Sequence, residues 1–518
     1  MATRVMGWFS FASLLATLFT SQLAQGYYIS AYAVGNHQAC RASNLPGTIV
    51  EIQKFFASPY FPDDAQKNVF WQDSRVKAAE WGAAGDRFES TEAVSGFDGS
   101  DASLITYIAS HGITSRASYY ALSGNGSACE IRNTSMSAGD NMARYLILST
   151  CQGLKIGNGD DPGRTGENPS VTWNSGNAGL NCIFGYSNNM VDSNKYGEYL
   201  LQNLATSDES LSASFFRASR MVHSSNIPAT LCFGPDDQTA RQHLTTDKRF
   251  TEESNGKGGS AWSYAQSNRV AGSFAGPTVA AVPRTLKSKI RQLNPKKLAR
   301  SLLGKQIKDL GINKNLGVFR SDDGILTYNH DNGGFHWRRA RMANVEHAFK
   351  LKDSSVIKIA SDFLTLHGLP ANDLVATDVI DIGFGTAKTQ EIGQKIVAFH
   401  QAVKGLTVLD YGATIEVTVA ADGSVVGLQG SLIDVSMMRI PELVDSRDVN
   451  LAGARQQALA SLNRKMPGSE LTVVDSRVGY DGANFDDGPS ARLTAVLEVV
   501  IEARQGEFAR RYVERVPL

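Results

Sequence analysis

Apolar and polar positions in the first half of the chain alternate between short hydrophobic runs and amphipathic stretches. Residues 27–34 read as a strand. Pro46–Ala57 reads as a helix with Ile49, Ile52, Phe55 and Phe56 on one face. Three further apolar runs, 104–109, 145–148 and Cys182–Tyr186, have the length and composition of buried strands, and 196–204 and Leu211–Val222 have helical spacing. Strands interleaved with helices predict an α/β domain whose parallel-rich sheet is covered on both faces.

The pattern changes after residue 253. Residues 254–282 are rich in Gly, Ser and Ala, which predicts a loose connector. A basic stretch follows, in which Arg284, Lys287, Lys289, Arg291, Lys296, Lys297, Arg300, Lys305, Lys308 and Lys314 are opposed only by Asp309. Leu286, Ile290, Leu293, Leu298 and Leu302 recur through it at roughly helical spacing, so it reads as a solvated helical linker. Beyond residue 315 the texture is α+β. Helices are expected at 354–366 and 450–466, and strands at 395–400, Thr414–Ala420, 424–429, 471–480, 493–503 and 508–513. The expected organisation is therefore a leader at 1–26, an α/β domain at 27–253, a Gly/Ser-rich and basic linker at 254–315, and an α+β domain at 316–518.

The length of 518 residues fits several domains of roughly 150 each. The 51 basic residues cancel the 51 acidic ones, which argues against nucleic acid as a partner. At the start, Arg4 precedes the apolar run 5–19, and Ala24 and Gly26 supply small residues before a strand. This is the pattern of a signal peptide cut after Gly26. It predicts a secreted or periplasmic protein with no transmembrane span once the leader is gone. Cys40, Cys129, Cys182 and Cys232 then have three possible connectivities, with free thiols equally open. Asn125 and Asn133 head glycosylation-type triplets. The histidines show no metal-binding spacing, and neither metal nor cofactor is expected.

Two strand ends deliver reactive groups. His111 follows the run 104–109 and precedes Gly112, and Cys151 follows the run 145–148 and precedes Gln152 and Gly153. Ligand and catalytic groups gather beyond the carboxyl ends of parallel strands, so neighbouring strands would bring imidazole and thiol together. A thiol needs a base or cation to become the nucleophilic thiolate. The amides of Gly112 and Cys151 would stabilise an oxyanion. Asp160, Asp161 and Asp192 lie in loops after the run 145–148 or after Tyr186.

The sequences Ser110-His111-Gly112 and Ser149-Thr150-Cys151-Gln152-Gly153, each after a strand, resemble the two motifs of caspase-like (clan CD) cysteine peptidases. That clan includes caspases, legumain, clostripain and gingipains. The resemblance covers about residues 27–250 and is nearest to uncharacterised secreted bacterial members. It implies a caspase-like α/β/α sandwich, with Cys151 as nucleophile, His111 as general base and acid, and Gly112 as an oxyanion-hole donor. The clan builds its specificity pocket in the loops that hold Asp160, Asp161 and Asp192, and a carboxylate there would favour a Lys or Arg side chain of the substrate. Caspases carry Gln-Ala where this chain has Ser149-Thr150, and the arginines with which they hold an aspartate have no counterpart here.

Residues 395–401, Gly405-Leu406-Thr407-Val408, Asp422-Gly423 and Gly430 resemble the propeptide modules of secreted thermolysin-like and fungalysin metallopeptidases over about 340–505. Such modules assist folding or inhibit a peptidase. The expected function is hydrolysis of a peptide or protein substrate by a secreted cysteine peptidase, with a possible intramolecular contact between the second domain and the first. The alternative is a non-catalytic binding or scaffold protein of the cell envelope or exterior.

Overall fold

The computed structural model describes residues 27–37, 42–63, 65–73, 76, 101–113, 119–121, 130–133, 138–162, 166–273, 281–311, 316–340, 348–437, 443–445, 450–482 and 490–518. The expected leader, Cys40, Cys129 and the Asn125 triplet lie outside these residues.

The first half follows the predicted alternation. Strands β1 (Tyr28–Ala33), β2 (Gln66–Gln72), β3 (Ile105–Ala109), β4 (Tyr145–Ser149), β5 (Cys182–Tyr186), β6 (Pro228–Gly234) and β7 (Gly259–Arg269) stand in the order β2-β1-β3-β4-β5-β6-β7. Pairing is parallel from β2 to β5 and antiparallel from β5 to β7. Helices α1 (Pro46–Ala57), α2 (Tyr196–Thr206), α3 (Leu211–Val222) and α4 (Asp237–Thr246) bury Ile52, Phe55, Leu200, Phe215 and Leu244 against one face. Strand side chains alternate between the faces. Tyr145 and Ile147 of β4 point to the helices, whereas Leu146 and Leu148 pack with Leu154, Ile156 and Trp173 on the other side. Helices were expected over both faces; among the described residues the second face is closed by these connecting segments.

Cys182 and Cys232 sit directly opposite on antiparallel β5 and β6 and form a disulfide. Cys151 is the free cysteine among the described residues.

Residues 254–273 and 281–311 are built into the fold and do not form the expected loose linker. Its Gly- and Ser-rich part contains β7, whose Trp262 and Tyr264 lie over Gly383 and Gly385 of a neighbouring strand. Small residues here leave room for large aromatics across the strand, so the composition does not mark a connector. In β8 (Thr285–Ile290), Leu286, Ser288 and Ile290 turn inward while Lys287 and Lys289 face solvent. Helix α5 (Pro295–Leu303) buries Leu298, Ala299, Leu302 and Leu303 and leaves its lysines outside.

The second half contributes β9 (Leu316–Ser321), β10 (Gly324–Asn329), β11 (Phe335–Arg339), β12 (Leu374–Gly385), β13 (Gln390–Val403), β14 (Thr414–Ala420) and β15 (Val425–Gly430). Strand β12 pairs antiparallel with β7, from Asp378 opposite Arg269 to Gly385 opposite Trp262. One mixed sheet therefore runs through both halves, continuing past β12 in the order β13-β14-β15-β11-β10-β9. The protein is α/β with a large mixed sheet. A second sheet holds β16 (Ile433–Met437), β8, β17 (Glu470–Asp481), β18 (Ser490–Gln505) and β19 (Phe508–Pro517). It packs on α7 (Leu451–Lys465) through Ala458 and Leu462.

The halves are also tied by buried charge. Arg220 of α3 makes a two-pronged contact with Glu416 of β14 at 3.2 and 2.9 Å. His223 meets Glu498 of β18 at 3.1 Å. No helix among the described residues is long and apolar enough to cross a membrane.

Candidate functional site

Parallel pairing of β3 and β4 sets Ala109 opposite Ser149, and the Ser110 amide donates to the Ser149 carbonyl at 3.2 Å. Counting two residues past each strand end, the same register leads to His111 and Cys151. The main chains meet there directly. A Cβ added to Gly112 would stand 1.6 Å from the Cys151 carbonyl oxygen and 2.9 Å from its amide nitrogen. Only glycine permits that approach. Beyond Cys151 the chain turns sharply through Gln152, whose φ of 53° is a strained value for a residue with a side chain. The Gln152 amide donates to the Asn188 carbonyl at 3.1 Å and its side chain to Asn189 at 3.1 Å, which hold the turn in place.

His111 has a defined tautomer. Its Nε2 lies 2.8 Å from the Ser43 carbonyl oxygen, with the Ser43 hydroxyl at 3.3 Å. A carbonyl only accepts, so Nε2 carries the proton and Nδ1 keeps a free lone pair. Nδ1 is buried and has no hydrogen-bond partner among the described residues. Burial, then the charges of His37 and Arg510, hold the imidazole well below its ordinary pKa, against the opposing Ser43 contact. His111 is therefore a neutral imidazole with one nitrogen anchored and the other open. His37 packs edge-on against it at 4.7 Å between ring centres, and Phe508 of β19 lies at 5.7 Å.

Cys151 is fully buried. Burial pushes its thiol up, and the Arg510 guanidinium and the Met190 backbone N–H beside the sulfur pull the other way. No hydrogen bond joins thiol and imidazole among the described residues. The two motif residues are brought to one edge of the sheet, with a positive group next to the sulfur.

The three carboxylates expected to select a substrate part company. Asp192 lies 3.5 Å from Arg510, with its side chain 20% exposed. Asp160 binds Arg511 at 2.8 Å from the rim, where it is 62% exposed. Asp161 instead closes a turn, its amide bound to Asn158 Oδ1 at 2.6 Å. A further carboxylate, Glu51 of α1, is completely buried and accepts from Tyr107 at 2.5 Å. Burial raises it to about 7, against the Tyr107 bond and the charge of Arg510.

Sequence reasoning missed Ser43, His37, Glu51 and Arg510. One signal was present for Arg510. It falls in phase with Phe508 and Tyr512 on an alternating strand, which marks an inward-facing charge. Glu51 likewise lies one position from Ile52 on the apolar side of α1. Nothing local marks a carbonyl such as that of Ser43.

The buried imidazole beside the site carries a pH dependence. His37 Nε2 donates to the Val34 carbonyl at 2.9 Å. Burial lowers its pKa from 6.5 to about 4, assisted by Arg510 and opposed by the Val34 bond and Asp73. The unfolded chain therefore takes up a proton first. Stability contributed by neutral His37 is complete above pH 6.5 and is lost as pH falls towards 4. The loss amounts to about 3 kcal/mol at about 1.4 kcal/mol per pKa unit. In His37→Gln this loss should vanish. The stability difference between variant and native chain, from urea unfolding at pH 7.5, 5.5 and 4.5, should move in the variant's favour as pH falls. A constant difference would show that His37 does not titrate in this way.

A family profile described as a domain of unknown function (DUF6345) matches residues 34–266, the part of the chain that includes His111 and Cys151. No curated protein matches the chain. Among solved structures, an uncharacterised protein from Eubacterium rectale ATCC 33656 aligns at 9% identity with a TM-score of 0.33. The alignment covers 47% of this chain and 88% of that one.

Proposed function

We propose that the protein is a secreted or periplasmic cysteine peptidase, with a caspase-like first half carrying a His111–Cys151 dyad and a propeptide-like second half serving as accessory. The observation that carries the reading is the pair of parallel strand ends that set Gly112, directly after His111, against the backbone of Cys151, with His111 Nδ1 left unpaired among the described residues. The disulfide between Cys182 and Cys232 supports an oxidising compartment.

In this reading the thiol proton passes to His111 Nδ1 while Nε2–H stays on the Ser43 carbonyl. The thiolate attacks the peptide carbonyl carbon, a C–S bond forms, and the negative charge moves to the carbonyl oxygen near the Gly112 and Cys151 amides. His111 then returns the proton to the departing amine as the C–N bond breaks. A water, deprotonated by the same nitrogen, hydrolyses the thioester, and the proton goes back to sulfur.

Complete burial of Cys151 favours a second reading, in which the fold is a non-catalytic binding module. A peptidyl vinyl sulfone library separates the two. The full-length chain is incubated with it and labelled sites are mapped by mass spectrometry. The peptidase reading expects one adduct per chain at Cys151, absent in Cys151→Ala and slowed at least tenfold in His111→Gln. Labelling that ignores His111, or no labelling even when the chain is loosened by mild urea, would favour the binding module.

A further inference from the structure

Strand β19 runs against the segments that follow His111 and β5. Ile113, directly after His111-Gly112, bridges antiparallel to Phe508, and Val191 bridges parallel to Arg511. The Arg511 amide donates to the Met190 carbonyl at 3.1 Å, and the Asp192 amide donates to the Arg511 carbonyl at 2.6 Å. An extended segment of the second half is thus added between the loop after His111 and the loop after β5, in the manner of a bound peptide. The side chain between these anchor points is Arg510.

Arg510 is an unusual guanidinium. It is 0% exposed, meets Asp192 only at 3.5 Å, and none of its three nitrogens has a hydrogen-bond partner among the described residues. Its neighbours on the strand are well paired: Arg511 with Asp160 at 2.8 Å, Arg515 with Glu498 at 2.9 Å. Burying a cation without aligned partners is costly, and such a side chain is tolerated only where the surrounding field favours positive charge. That field comes from the sulfur of Cys151, from Asp192, Tyr196 and Glu51, whose combined attraction more than offsets the burial cost and holds Arg510 above its ordinary pKa. Asp192 is braced from behind, since a Cβ on Gly47 at the start of α1 would touch its Oδ2 at 3.3 Å.

We infer that the buried cluster of Cys151, Glu51 and Asp192 around Arg510 is a specificity site for an arginine side chain, and that β19 holds the protein latent by lodging Arg510 in it. The inference rests on the peptidase reading for its catalytic half and stands apart from it for its binding half. A substrate with an accessible Arg would compete with β19 for the same pocket and the same backbone contacts. Lysine lacks the planar fork that reaches two carboxylates together, so it should compete less well.

The test uses full-length Arg510→Ala, with Arg510→Met, which keeps most of the side-chain length, as a guard against misfolding. Two probes are applied to each: benzamidine, and peptidyl chloromethyl ketones ending in Arg or Leu, in which the thiolate forms a C–S bond and chloride leaves. Benzamidine should raise the melting temperature of both variants and leave that of the native chain unchanged. The arginyl reagent should label Cys151 in the variants at least tenfold faster than the leucyl one, and benzamidine should slow it. The native chain should react with either at less than a tenth of the variant rate. Equal labelling by both reagents, or folded variants indifferent to benzamidine, would overturn the arginine pocket. Native labelling as fast as in the variants would overturn the latency. Benzamidine binding without hydrolysis of any arginyl amide would leave the pocket standing and remove the peptidase reading instead.

Discussion

Replacing Cys151 by alanine is expected to lower amide hydrolysis by ~10³-fold or more, and His111→Gln to lower it by a comparable factor. The two should not multiply. A nucleophile and its base act as one unit, so the double variant should be no slower than the worse single one. Glutamine is the informative exchange at position 111. Its amide can still donate to the Ser43 carbonyl, so the anchoring bond survives, while the free Nδ1 lone pair is gone. If His111 serves only to fill space beside His37, activity should persist in the glutamine variant and fall only with its stability. Rates are best compared in both the native and the Arg510→Ala backgrounds on a panel of arginyl and other peptide amides. Purely additive losses, or hydrolysis that survives Cys151→Ala, would separate the chemistry from this pair.

That the strand ends leading to His111 and Cys151 lie side by side was legible because it depends on features that sequence displays well. Each follows a continuous apolar run, which marks a strand buried on both faces, and each is followed by a glycine within two positions. Their adjacency required only that β3 and β4 be neighbours, and sequential strands in parallel sheets often are. The position of β7 was hidden by the same logic run backwards. Its Gly and Ser residues looked like a connector, although the strand sits between β6 and β12 in the middle of the sheet. What made it a strand is the complementarity of Trp262 and Tyr264 with Gly385 and Gly383, 123 and 119 residues away, and no local pattern reports it. The basic helix α5 shows the intermediate case. Its leucine spacing was visible, but whether that face would find a partner depended on β9 to β11, strands the periodicity did not reveal.

The same distinction applies to the site. Asp192 was selected as a substrate carboxylate because it follows β5, and it lies beside the buried Arg510; Asp161, chosen on similar grounds, sits in a local turn held by its backbone amide. Loop position alone does not say where a side chain points. Arg510 shows how far the site extends beyond the first half. A charge in phase with the inward residues of a strand near the end of the chain completes an electrostatic cluster whose other members are Glu51, Cys151 and Asp192. The buried links Arg220–Glu416 and His223–Glu498 fix the second half against the first, so that the approach of β19 to the segments after His111 and β5 belongs to the fold as a whole.

Gly112→Ala should be among the most damaging single-methyl additions available in this chain. The new Cβ would lie 1.6 Å from the Cys151 carbonyl oxygen, 2.6 Å from its carbonyl carbon and 2.9 Å from its amide nitrogen. All three are backbone atoms in the turn held by Gln152, so none can yield by changing a rotamer. The loop after β3 or the turn after β4 must move, and either motion separates the register on which the His111–Cys151 arrangement depends. The expected loss of stability is about 4 kcal/mol or more, in the range reserved for severe overpacking or backbone strain. Gly185→Ala on β5 is the matched comparison. Its Cβ would meet the Leu154 side chain at 3.2 Å, which can give way, so a cost of about 1–2 kcal/mol is expected. Urea unfolding of both variants measures the difference, and the rate at which Cys151 reacts with iodoacetamide reports the local effect. In Gly112→Ala the thiol should react faster, because a displaced turn exposes it and withdraws it from the Met190 amide. A Gly112→Ala chain as stable as the native one, with unchanged thiol reactivity, would mean that the close approach of the two strand ends is not what organises this site.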